Sequence, residues 1–184
     1  MQVELARRLS NQFAVNYRPD WPWLEDSLTY ANARLPHALL LASLDLDDLK
    51  MRDQGLEALG WLMDLQIGRD DEFAPIGSDG FYEKGGIRSY FDQQPIEAWS
   101  SMSACFVAHR ITRNHNWLTH ANRSFEWFLG GNMLNQPVLN SATGGCHDGL
   151  HEDRMNRNQG AESTLSYLCA LAELRSQTTI ANEN

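Results

Sequence analysis

The sequence predicts an all-α protein of about three helical hairpins in one domain spanning residues 1–184, and three observations predict it. Apolar residues recur at helical spacing over six segments. Short and long connections alternate between those segments. The Gly, Pro, Asn and Trp residues collect in the long connections, where they interrupt regular structure. A chain of 184 residues can bury one sizeable core and is too short for two comfortable domains.

The periodicity places helices at about 2–16, 30–44, 47–66, 94–112, 115–129 and 160–175. The short connections, near Asp45 to Asp48 and near Thr112 to Asn114, force antiparallel neighbours. The long ones, 17–29, 67–93 and 130–159, gather at one end of the bundle, where a pocket can form. Two of the helices that follow a long loop are rich in small residues around much of their circumference. One carries Ser100, Ser101, Ala104 and Cys105, the other Ser163, Ser166, Cys169 and Ala170, and each is expected to be surrounded by other helices. The helices after the short turns are striped instead, with Leu56, Leu59 and Met63 in one and Leu118, Ala121 and Phe125 in the other. Two layers follow, small-residue helices inside and striped helices outside.

Composition narrows the partners. Twenty-four Asp and Glu against fifteen Lys and Arg give a formal charge of -9, which argues against nucleic acid and anionic membranes and favours a neutral small-molecule or oligosaccharide ligand. No apolar run reaches membrane-spanning length. Cys105, Cys146 and Cys169 are an odd count without CxxC spacing, and Met1 leads directly into charged residues; a reducing, cytoplasmic setting is expected. No metal or cofactor is expected. The six tryptophans, several in loops, can serve either as packing groups or as platforms for sugar rings.

An internal repeat marks the helix starts. Gln94-Pro95-Ile96-Glu97 and Gln159-Gly160-Ala161-Glu162 are both QxxE, lie 65 residues apart, and each opens a small-residue helix. Asn32-Ala33-Arg34-Leu35 opens a third without the glutamate. Residues three apart share a helix face, so each Gln/Glu pair can aim an amide and a carboxylate at a sugar hydroxyl. A first-turn glutamate can equally act as a capping-box partner favoured by the helix dipole. The polar company is unusual for caps alone, with Asp92 and Gln93 before the first pair and Asn156, Arg157 and Asn158 before the second.

The loop Gly144-Gly145-Cys146-His147-Asp148-Gly149-Leu150-His151-Glu152 is also site-like. It supports four readings: a metal site on Cys146, His147 and His151, a nucleophilic Cys146, a hydrogen-bonding loop led by Asp148, or a plain Gly-rich turn. The stretch from Pro75 to Asp92 suggests a short hairpin or irregular flap presenting Phe81, Tyr82 and Tyr90. The first long loop adds Trp21, Trp23, Glu25 and Asp26, followed by Tyr30, Asn32 and Arg34.

The ordered motifs WPWxEDxLTYxNARLPxALL, PIGxxGF, DQQPIEA, GGCxDGL and NQGAEST, covering about residues 20–175, resemble the six-hairpin (α/α)6 toroid glycosidase-like proteins associated with bacterial glycosyltransferases. The resemblance implies an (α/α) toroid whose carboxylates and aromatics line a mouth at the inner-helix N-termini. It places Asp92, Glu97, Asp148 and Glu162 at that mouth as candidate acid and base. Trp21, Trp23, Tyr30, Asn32, Arg34, Tyr82, Gln93, Gln94, His147, Asn158 and Gln159 are the candidate substrate-binding residues. About three hairpins make only half a six-hairpin ring, so the chain is expected to be the C-terminal half of a toroid that lacks its N-terminal half, to be completed by a second copy as a homo-oligomer, or to form a shorter curved bundle with an open concave face. Hydrolysis or transfer at a glycosidic bond is the leading expectation, with carboxylates about 5 Å apart for retention or roughly 6.5–9.5 Å apart for inversion. The alternatives are a non-catalytic glycan-binding module beside a glycosyltransferase, and a sugar epimerase or isomerase using a loop histidine as base.

Overall fold

The computed structural model describes the backbone of residues 2–182 and the side chains of residues 2–177. It is all-α, with six helices: α1 (Gln2–Asn16), α2 (Arg34–Leu46), α3 (Leu49–Leu65), α4 (Pro95–Thr112), α5 (Asn116–Leu129) and α6 (Ala161–Asn182). Two antiparallel two-residue strand pairs are the only other regular elements described. Among the described residues no helix is long and apolar enough to cross a membrane.

Local chemistry sets the helix ends. Asp47 closes α2 in the left-handed region, returning its N–H to the Ser43 carbonyl, and Asp48 then caps α3 by accepting the Met51 N–H at 3.0 Å. Pro95 occupies the first position of α4, where its missing N–H would have no helical partner anyway. Arg113 and Gly130, both at positive φ, end α4 and α5. The resulting turns are short enough that α2 folds back on α3 and α4 on α5. The helix α1, which packs on α2 and α3, and the helix α6 each lack such a short-turn partner.

Helices α2, α4 and α6 form a row with α4 in the middle, and α3 and α5 pack against α2 and α4. The central helix has Ala98, Ser100, Ser101, Met102, Ser103, Ala104, Cys105, Phe106 and Ala108 all buried, as its small side chains predict. The other small-residue helix differs from expectation. Of the described residues of α6, Ser163, Ser166 and Ala170 are buried, while Leu165 and Leu168 are 57% and 48% exposed. Among the described residues it ends the row, packed on α4 and touching α5 where Tyr167 meets Phe125 and Phe128.

The stretch from Pro75 to Asp92 is an irregular flap without a helix. Its strand β2 (Tyr82–Glu83) pairs with β1 (Ser27–Leu28) of the first long loop, with Leu28 opposite Tyr82, so two long loops are stitched together. Strands β3 (Gly149–Leu150) and β4 (Met155–Asn156) form a hairpin in the third long loop. A bridge between Gln93 and Leu150, with N–H to O distances of 2.9 and 3.0 Å, ties that hairpin to the start of α4.

Candidate functional site

The starts of α2, α4 and α6 converge, and polar groups do the joining. Glu97, on the first turn of α4, is 1% exposed and accepts the backbone N–H groups of Ala31 and Asn32 and the Asn32 amide. Those N–H groups belong to the turn entering α2, so one helix's first-turn carboxylate holds the turn that leads into the next helix in the row. Burial pushes the Glu97 carboxyl up to about 7, against the opposing pull of those three donors. Glu162, on the first turn of α6, is exposed and accepts the Tyr30 hydroxyl. Burial first, and then the Glu162 carboxylate, raise the Tyr30 phenol well above its ordinary value. The two glutamates of the QxxE repeat therefore meet at a single turn, residues 30–32.

The glutamines of the repeat diverge. Gln94 donates to Asp92 at 2.7 Å, whereas Gln159 accepts the Thr143 hydroxyl at 2.7 Å. Gln93 is fully buried and accepts the Trp127 indole N–H at 2.8 Å.

Asp148 serves α6. It accepts from the Gly160 N–H at 2.6 Å, the Ser163 hydroxyl at 2.7 Å and the Asn158 amide. Partial burial disfavours its charge, but these donors and His147 outweigh that and hold the carboxyl below its ordinary value. Asp148 is in effect the N-terminal cap of α6, supplied from the preceding hairpin.

Asp92 is the carboxylate left with spare capacity. Its Oδ2 receives Gln94, but its Oδ1 is buried without a hydrogen-bond partner and lies 3.6 Å from Nδ1 of His151. Burial raises its carboxyl above the usual range, helped by Asp79 and opposed by His151, Ser78 and Gln94. Gly149 makes the space beside it, because a Cβ there would stand 2.6 Å from Oδ1 and 2.5 Å from the Gln93 carbonyl. His151 lines a cavity of about 680 Å3 together with Asp79, Tyr90, Phe91 and Glu152.

The other predicted binding residues are scattered. Trp21 and Trp23 are 3% and 0% exposed, Trp21 packing edge-on to Trp61 and Tyr82; both are core side chains because the β1–β2 pair folds the first loop over them. Tyr82 is half-buried against the same cluster. Asn32 is buried and Arg34 lies 4.1 Å over the Trp99 ring. His147 has a buried Nδ1 without a partner and lines a separate cavity with Asn140, Met155 and Arg157.

Cys146 is buried, and burial, with Asp148 nearby, pushes its thiol up to about 12, which leaves no thiolate for nucleophilic chemistry at neutral pH. Among the described residues, no His, Cys, Asp and Glu are grouped to hold a metal ion. His151 is the functional candidate that spacing alone does not pair with Asp92, since the two are 59 positions apart. The signal was Gly149, whose lack of a side chain lets the hairpin approach the α4 entry.

This arrangement defines an all-α, hairpin-built protein with a polar end where three helix starts meet. No protein-family profile matches the chain, and no curated protein matches it.

Proposed function

We propose that the chain is a carbohydrate-active domain acting on glycosidic bonds by hydrolysis or transfer, and that the row α2–α4–α6 is an arc of an (α/α) toroid. The observation that carries the proposal is Asp92: a carboxylate at the converging helix starts with one buried oxygen that accepts no hydrogen bond, a raised pKa, and His151 leading from that oxygen to an open cavity. A carboxyl whose proton is held more firmly than usual by burial suits donation to a leaving glycosidic oxygen. Glu162 is the exposed carboxylate at the same end, oriented by Tyr30, and it is the proposed partner. Glu97 and Asp148 position the helix starts that carry these two groups.

The commitment of Glu97 and Asp148 to holding the entries of α2 and α6 favours one second reading, a glycan-binding module without turnover. A panel of glycosides with product analysis separates the two. Under the first reading Asp92→Asn and Glu162→Gln each abolish product while the fold persists. Under the second, a glycan binds, no product forms, and each substitution changes affinity modestly.

A further inference from the structure

Three cavities adjoin on the side of the molecule that His151 faces. The one of about 680 Å3 that His151 lines shares Tyr90, Phe91 and Glu152 with a second of about 520 Å3, to which Ile67 and Met133 contribute. The second shares Asp70, Glu72 and Met133 with a third of about 560 Å3 that runs to Glu126 and Arg123. Each alone is in the size range of a small-molecule site, and three in series suit an elongated ligand.

Tyr90 stands on the wall common to the first two cavities and is 44% exposed. The Arg88 guanidinium lies 4.3 Å over its ring, and that guanidinium donates to the carbonyls of Leu65, Ala74 and Pro75. The tyrosine is thus braced from behind before any ligand arrives, which reduces the ordering cost of stacking a ring upon it. Charge along the cavities is one-sided. Arg123 is held by Asp71 at 2.6 Å and Arg154 by Asp153 at 2.8 Å, whereas Asp70, Glu72, Glu126, Asp79 and Glu152 make no ion pair among the described residues. Arg69 is the remaining guanidinium of the walls.

We propose that these cavities form one extended cleft that seats a linear, non-anionic glycan across Tyr90, with successive sugar rings running from His151 towards Glu126; the inference rests on the carbohydrate reading above. Acidic glycans are repelled by the unpaired carboxylates. Calorimetric titration with disaccharides and hexasaccharides of β-1,4-linked mannose, glucose and glucosamine, and with a galacturonate hexamer, tests it. In at least one of the three series the hexamer should bind at least about tenfold more tightly than the dimer, and Tyr90→Ala should remove most of that gain. Glu126→Gln should admit the galacturonate hexamer more readily than the unmodified protein does. Equal affinity for dimer and hexamer, indifference to Tyr90→Ala, or tight binding of galacturonate by the unmodified protein overturns the cleft. If glycosides are turned over but none of these oligomers binds, the cleft fails alone; if no glycan is bound or turned over, the carbohydrate reading fails with it.

Discussion

Glu97 accepts the backbone N–H of Asn32 at 3.2 Å and its side-chain amide at 3.3 Å, so a carboxylate on α4 completes the start of α2 from 65 positions away. Burial raises that carboxyl from 4.5 to about 7. Its contribution to stability is therefore fully present below the unfolded value and is lost as pH rises through about 7, a difference on the order of 3 kcal/mol. His37 and His120 are lowered by burial and act in the opposite direction, losing their contribution as pH falls through their range. Urea unfolding of the wild type and Glu97→Gln from pH 4.5 to 8 separates the terms, since the histidines cancel in the difference. The variant should lack the loss of stability between pH 4.5 and 7; parallel curves contradict the burial argument.

Backbone approach at Gly77 and Gly149 is the second expectation. A Cβ at Gly77 would stand 1.9 Å from the Phe91 carbonyl oxygen, and one at Gly149 2.5 Å from that of Gln93. Alanine at either forces backbone to move, costing about 1–3 kcal/mol or more. Gly85 has open space and φ of +76°, so alanine there should cost only the left-handed penalty of about 1–2 kcal/mol. Thermal unfolding should rank the three with Gly77→Ala lowest in Tm and Gly85→Ala highest.

Gln93 supplies the third. It is fully buried, and its amide oxygen is the acceptor for the buried Trp127 indole. Gln93→Met keeps the volume and removes the acceptor, leaving an unsatisfied N–H worth about 1–3 kcal/mol. Chemical denaturation should show that loss without a change in m-value.

Cysteine reactivity is the fourth. Cys105 and Cys146 are buried, with both thiols raised by burial. Neither should react with a thiol reagent in native protein at pH 8, and both should react fully in denaturant. Rapid native labelling at Cys146 would revive it as a nucleophile.

Much of this arrangement was legible in the chain before its fold. Helical spacing and the two short turns located all six helices to within a few residues at their starts, because those signals are local. The QxxE repeat pointed to one end of the bundle, and Glu97 and Glu162 do meet at residues 30–32. What spacing does not carry is the identity of the partner. Glu97 sits where a capping-box glutamate sits, yet it holds the turn before another helix, since that turn brings the Ala31 and Asn32 N–H groups within its reach. Small residues in α6 announce a buried helix, but the number of neighbours is a property of the row and not of the segment. The Asp92 and His151 pairing depends on the Gln93 and Leu150 bridge, which has no periodic signature.

The most direct test of the account is turnover by Asp92→Asn beside the wild type across a glycoside panel with product analysis, with Tm measured on both. The account predicts that the wild type releases product and that the variant loses activity by about 100-fold or more while its Tm stays within a few degrees. Unchanged turnover in Asp92→Asn, or a wild type that turns over no glycoside, contradicts it.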